Sequence, residues 1–238
     1  MPSRHSSPSM PVRPSRAQQE FARRVVGKTL RSYDIHAAEY LRQWGRKVRR
    51  PRLLQACVNL LPKGGLVLDL GCGAGQDVRG LRRRHYRAFG LDLSKILLRH
   101  ARRGSRRMPL VRADMRDLPL RRRVLDGVWA AASLIHLPKP TAKNLLRELH
   151  DLVRPGGMLA ATFVYGRSSG FLKTGWIAGR YMVRWRKHEL IAAVRRAGWT
   201  VVSLETVANR ERKGRWLNLL ARRPIDTRAR PQKPKSFQ

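Results

Sequence analysis

Apolar positions along the chain switch between a helical and a strand-like spacing, and the switches mark out the elements. Helical spacing runs through Gln18–Trp44 and again through Arg52–Leu61, where Pro62 and the Lys63-Gly64-Gly65 turn stop it. Leu66-Val67-Leu68-Asp69-Leu70 reads as a short buried strand. The pattern then predicts helix over Gln76–His85, strand over Arg87–Leu93, helix over Lys95–Arg103, and strands over Leu110–Ala113 and Val128–Leu134. Thr141–Val153 is helical, with Thr141 as its N-cap and Pro155-Gly156-Gly157 as its stop, and Met158–Tyr165 is a strand. A Gly/Ser-rich insertion, Gly166–Gly179, precedes a helix over Arg186–Ala197. Trp199–Val207 and Arg215–Ala221 finish as strands with a short link between them. Such alternation predicts a doubly wound, Rossmann-like α/β domain: a mostly parallel seven-stranded sheet with an antiparallel hairpin at its C-terminal edge.

The 238 residues suit one such domain with extensions. Residues 1–17 are rich in Pro, Ser and Arg, and residues 224–238 are Pro- and charge-rich. Both ends therefore read as disordered basic tails around a domain over 18–223. The first tail also has the acid-poor, Arg/Ser-rich composition of an organellar transit peptide. Otherwise a cytoplasmic location is the default, because the two cysteines, Cys57 and Cys72, form no disulfide framework. No Cys/His spacing predicts a metal site, and no apolar run approaches the ~20 residues that span a bilayer.

Charge widens the list of partners. Fifty-two basic residues against 15 acidic ones give +37, a field that draws polyanions without any specific site. A solvated, arginine-decorated surface is the simpler reading; nucleic acid is the other. In the predicted topology, helices that follow strands end on the sheet edge opposite the ligand edge. Arg82-Arg83-Arg84, Arg102, Arg103, Arg106, Arg107 and Arg121-Arg122-Arg123 should gather there, where helix dipoles favour cations. On the ligand edge, Arg42, Arg46, Lys47, Arg49, Arg50, Arg167, Lys173, Arg180, Arg184 and Arg186 interleave with Trp44, Trp176, Tyr181 and Trp185. Single-stranded RNA grooves use a similar mixture.

Candidate chemistry begins where the first strand hands over to a helix, at Asp69-Leu70-Gly71-Cys72-Gly73-Ala74-Gly75. Glycines at 71, 73 and 75 let the backbone turn tightly and a ligand approach. The spacing departs from the GxGxxG of dinucleotide sites, and the Asp69 carboxylate would repel a pyrophosphate while attracting a cationic amino group. Asp92 ends the second strand, where an acid can accept both ribose hydroxyls, and Leu93 follows with an apolar surface for a base. Asp114 ends the third strand and could accept from an exocyclic amine, with Met115 beside it. All three acids fall at the carboxyl edge, where open α/β sheets bind ligands. His136, past the fourth strand, is the candidate base, and Tyr33 with Tyr40 lie on the first helical stretch, seven residues apart on one face.

The run Val67-Leu68-Asp69-Leu70-Gly71-Cys72-Gly73-Ala74-Gly75, with Gly90-Leu91-Asp92-Leu93-Ser94, Ala113–Pro119 and Leu152–Gly157, resembles the class I S-adenosylmethionine-dependent methyltransferases. The resemblance covers Tyr33 to Arg222. It implies S-adenosyl-L-methionine as cofactor, its methionine part held by Asp69 and the Gly71, Cys72, Gly73 and Gly75 backbone. Asp92 would take the ribose, Leu93 would face the base, Asp114 and Met115 would take the adenine, and Ala131 would lie where the fourth strand passes the sulfonium. The Tyr33–Tyr40 segment would be a flap over cofactor and acceptor. No Asn/Asp-Pro-Pro-Tyr/Phe stretch, cytosine-attacking cysteine or double-Glu loop is present. The expectation is methyl transfer to a small-molecule acceptor. RNA methylation and non-catalytic nucleic-acid binding on the same scaffold are the alternatives.

Overall fold

A computed structural model describes residues 14–45, 50–105, 107–175, 177–209 and 214–225. The chain opens with α1 (Arg16–Ile35), α2 (Ala37–Trp44) and α3 (Pro51–Val58). Then come β1 (Leu66–Leu70), α4 (Gln76–Arg82), β2 (Arg87–Asp92), α5 (Lys95–Gly104), β3 (Leu110–Arg112) and β4 (Leu125–Ala130). A 3₁₀ turn (Leu134–His136) leads to α6 (Lys139–Leu152) and the long β5 (Val153–Tyr165). Three two-residue strands follow: β6 (Gly170–Phe171), β7 (Tyr181–Met182) and β8 (Arg184–Trp185). The described chain ends with α7 (Lys187–Arg196), β9 (Thr200–Asn209) and β10 (Gly214–Arg222).

The main sheet runs β3-β2-β1-β4-β5-β10-β9, parallel from β3 through β5 and antiparallel from β5 through β9. The doubly wound sheet and its edge hairpin are as the alternation predicts. The seven-strand count is corrected: β8 pairs with the end of β5 as an eighth, and β6 and β7 form a separate small ribbon within the insertion. Every residue of β4 is buried, with an apolar run over Gly127–Ala130, and the buried Asp126 is satisfied by the Leu66 amide and the Arg154 guanidinium. Leu53, Leu54, Cys57 and Val58 of α3, Val78 and Leu81 of α4 and Leu98 of α5 cover one face. Leu145, Leu146 and Leu149 of α6 with Leu190 and Val194 of α7 cover the other.

Several boundaries differ from the sequence reading: β4 runs Leu125–Ala130 rather than Val128–Leu134, and α6 ends at Leu152 so that Pro155-Gly156-Gly157, expected as the helix stop, lies within β5. The helix predicted over Gln18–Trp44 is two helices that part at His36, whose φ of −97° and ψ of 20° leave the α region. Helix α1 also begins inside the expected tail: the Ser15 hydroxyl accepts from the Gln18 amide, and the Gln18 side chain returns to the Ser15 amide. The next difference is at α6, which starts at Lys139, with Pro138 rather than Thr141 at its N-cap. Proline is tolerated there because the first-turn amides have no intrahelical partner. Residues 1–13 and 226–238 of the expected tails lie outside the described residues, as do Arg46, Lys47, Arg49, Arg106 and Trp176.

Candidate functional site

The strand order reverses between β1 and β4, and a cleft of about 730 Å³, counted out to its mouth, opens there at the carboxyl ends of the strands. Its floor is the loop after β1. Gly71 and Gly73 both hold left-handed backbone, with φ of +73° and +54°. The amides of Gly71 and Cys72 donate to the Leu91 carbonyl at 2.7 and 3.0 Å, tying the loop to β2. Asp92 continues that tie. Its Oδ2 accepts from the Gly73 amide and its Oδ1 from the Ser94 amide, each at 2.8 Å. Ser94, not Asp92, caps α5: its hydroxyl accepts from Leu97 and donates to Asp34 at the end of α1, at 2.6 Å.

A Cβ on Gly73 would run into the Tyr40 hydroxyl. Gly73→Ala is therefore expected to destabilise the fold by about 1–3 kcal/mol, roughly 3–10 °C in Tm, and to push α2 outward. Differential scanning calorimetry checks this, and a Tm within 1 °C of wild type (roughly 0.3 kcal/mol) would exclude the close approach.

The sequence-predicted residues divide into two groups. Gly71, Gly73, Asp92, Leu93, Asp114 and Met115 line the cleft together with Tyr33 and His136. Asp69, Cys72, Gly75 and Ala131 are not among the cleft-lining residues. Asp69 is 2% exposed, and the Cys72 sulfur packs over Gly90, where any side chain would collide with it. Gly75 is needed for close packing, since a Cβ there would meet Met108 and Ala101. Ala131 joins the core beneath β4, and Ala132 and Ser133 form the wall in its place. Ala132 has a φ of +59°, a strained value for a side-chain-bearing residue, costing about 1–3 kcal/mol. Its amide donates to the Thr162 hydroxyl of β5 at 2.9 Å.

Asp114 is held by its neighbour. Its carboxylate accepts from the Arg116 amide at 2.9 Å and from the guanidinium at 2.6–3.0 Å. Burial works against the charge, but the Arg116 bonds outweigh it and keep the carboxyl below its usual range. Asp114 thus stays ionised, as an acceptor, well into acid. Burial instead pushes the Cys57 thiol up to about 12, so it offers no thiolate.

Helix α1 roofs the cleft with Val26, Thr29, Leu30 and Tyr33. The Tyr33 hydroxyl meets His136 Nε2 at 2.9 Å, and His136 Nδ1 meets the Tyr181 carbonyl at 2.6 Å. A carbonyl only accepts, so Nδ1 carries the proton. In the neutral ring Nε2 then accepts from Tyr33. The Tyr181 amide donates to Thr29 at 3.0 Å, returning the circuit to α1. Tyr33 and Tyr40, expected on one helix, belong to two and meet edge to face at 5.6 Å because the chain bends at His36. The Arg180 guanidinium lies 6.0 Å from the Tyr33 ring centre. Neither the Asp34–Ser94 bond nor the Ala132–Ser133 wall has a local sequence signal, since 60 residues separate the first pair and alanine does not advertise positive φ.

Of the described aromatics read as an RNA platform, Trp44 is half-buried beside Tyr40 and Ile177, and the other two are core residues. Trp185 is fully buried against Phe163, and Tyr181 packs edge to face on Phe21 and Phe171. Arg82, Arg83, Arg84, Arg102, Arg103 and Arg107, at and beyond the ends of α4 and α5, are exposed, as are Arg121–Arg123 before β4. Among the described residues no helix is long and apolar enough to cross a membrane, and no three His, Cys, Asp or Glu side chains group as metal ligands.

Residues 67–157 match the family described as a methyltransferase domain. A malonyl-[acyl-carrier protein] O-methyltransferase from Pseudescherichia vulneris is 32% identical over 162 residues, 65% of this chain and 57% of that protein. The trans-aconitate 2-methyltransferase of Deinococcus radiodurans is 35% identical over 111 residues, 46% of this chain and 41% of that one. The matched stretch spans about half the length of these relatives. In fold, the chain is similar to the 1,6-didemethyltoxoflavin-N1-methyltransferase of Burkholderia thailandensis, solved with 1,6-didemethyltoxoflavin and S-adenosylhomocysteine bound. The TM-score is 0.70 at 21% identity, over 90% of this chain and 94% of the other. The matched residues include Gly71, Gly73, Asp92 and Asp114 of the cleft, so the stretch that builds the cleft is similar in sequence to a methyltransferase domain and the chain shares the fold of a solved methyltransferase.

Proposed function

We propose that this protein transfers a methyl group from S-adenosyl-L-methionine to a small-molecule acceptor, in line with the methyltransferase domain that residues 67–157 match. The residues present fit that cofactor: side-chain-free backbone at Gly71 and Gly73 opens the floor, and Asp92 and Asp114 supply acceptors for ribose and adenine. The cofactor, when bound, supplies an electrophilic methyl whose leaving thioether is neutral, so no acid is asked of the protein. What the chain contributes is alignment, exclusion of water and a proton acceptor. An acceptor hydroxyl or amine that takes the place of the Tyr33 hydroxyl at His136 Nε2 would give its proton to that nitrogen. The Nδ1–Tyr181 bond holds the ring in the required tautomer meanwhile.

The observation that carries the small-molecule reading is the roof of α1. Val26, Leu30 and Tyr33 cover the space over His136, which a polynucleotide would need open. Of the matched relatives, one is named for trans-aconitate, a small acid, and one for a malonyl group on a carrier protein, and neither name is that of a nucleic acid. Cys57 and Cys72 form no disulfide, which suits a reducing compartment such as the cytoplasm. In this reading the basic surface holds polyanions without presenting them to the cleft.

Methyl-labelled S-adenosylmethionine added with a cell extract tests the assignment. Label is expected in the small-molecule organic fraction. Label in RNA would establish the nucleic-acid alternative instead, and label in neither fraction would point to a silent binder.

A further inference from the structure

One polar group on the cleft wall is used by nothing above. Ser133 is 4% exposed and lines the cleft, yet its buried Oγ has no hydrogen-bond partner. It precedes the 3₁₀ turn Leu134–His136, where a serine could cap, but no cap bond forms. A buried hydroxyl without a partner weakens a fold, so one beside a binding cleft points to a ligand that completes it.

Its position says which part of the ligand. Strand β4 lies on the other side of β1 from β2 and β3, whose tips carry Asp92 and Asp114. Ser133, just past β4, is therefore at the end of the cleft remote from the adenine acids. It packs on the loop itself: a Cβ built on Gly71 would collide with Ser133 Cβ and come within 3.4 Å of Oγ. The backbone that delivers it is held in a costly shape, with Ala132 at φ +59° and latched to Thr162. Strain of this kind fixes one orientation of the following side chain.

We propose that Ser133 is a binding residue for the amino-acid end of the cofactor, its Oγ making a hydrogen bond to the charged carboxylate or ammonium there. The inference rests on reading the cleft as an S-adenosylmethionine site and goes beyond it by assigning a contact that the glycine loop and the three acids do not make.

The test pairs two ligands, S-adenosylhomocysteine and 5′-methylthioadenosine, which share the nucleoside and differ in the amino-acid end. Calorimetry on wild type and Ser133→Ala should give about a 10-fold or greater loss of affinity for S-adenosylhomocysteine. Affinity for 5′-methylthioadenosine should hold within twofold. The ligand-free variant should melt at the wild-type temperature or above it, because an unpartnered hydroxyl has been removed. A hydroxyl with only a structural role would instead lower the melting temperature. Equal losses for both ligands, or no loss for either, would overturn the assignment. Wild type that binds neither compound would sink the cofactor reading itself, a result distinct from failure of Ser133 alone.

Discussion

Replacing Asp92 by alanine is expected to weaken S-adenosylhomocysteine binding by about 100-fold or more. The carboxylate has two tasks. It accepts from the Gly73 and Ser94 amides, which fixes the loop and the start of α5, and it lines the cleft as the proposed ribose acceptor. Hydrogen bonds to a charged acceptor contribute about 1.5–3 kcal/mol each, and the alanine also strands two amides. Asp92→Asn keeps one acceptor oxygen and should fall between. Isothermal titration calorimetry reads the difference. A change under threefold (about 0.7 kcal/mol) in the alanine variant would remove Asp92 from the binding site.

His136→Ala should leave cofactor affinity intact and lower kcat by about 10²–10⁴-fold, the usual range for a positioned base. Its ring is held from both sides, by the Tyr181 carbonyl at Nδ1 and by Tyr33 at Nε2, so it cannot drift from the roof of the cleft. Tyr33→Phe loses only the hydroxyl that occupies Nε2 before the acceptor arrives, and a smaller effect is expected, about 10-fold in either direction. Single-turnover rates with the acceptor found by methyl labelling, beside calorimetry of the same variants, separate turnover from binding. Wild-type turnover in His136→Ala would mean that the acceptor arrives already deprotonated, as a carboxylate does, and that His136 only shapes the cavity.

The parts of the site written in consecutive residues were legible from the sequence, and the parts made by distant pairing were not. Loop, strand and acid follow one another within Val67–Asp92, so spacing alone placed Gly71, Gly73 and Asp92. The same spacing does not say which loop residue faces the ligand. Cys72 and Gly75 look like their neighbours in sequence but pack against Gly90 and against Met108 and Ala101. At the exit of β4 the reading slipped by one residue, from Ala131 to Ala132 and Ser133, because a left-handed alanine reverses the face that alternation would assign. The bend at His36 was missed because apolar spacing continues across it. The bend places Tyr33 against His136, 103 residues further along. The hairpin order was legible only in part. Two late strands with a short link predict antiparallel pairing, but nothing local says that β10 inserts between β5 and β9.

That insertion decides where the molecule can be held. Since β10 runs back along β5, the chain leaves the sheet at Arg223, bonded to Gly156 and Gly157 on the side away from the cleft mouth. Pro14 and Gln18, at the other end, border a groove shared with Asp114. A surface tether or fluorophore grafted at Ile225 would therefore leave the mouth facing solution, whereas the same graft at Pro14 would stand in a groove that shares Asp114 with the cleft.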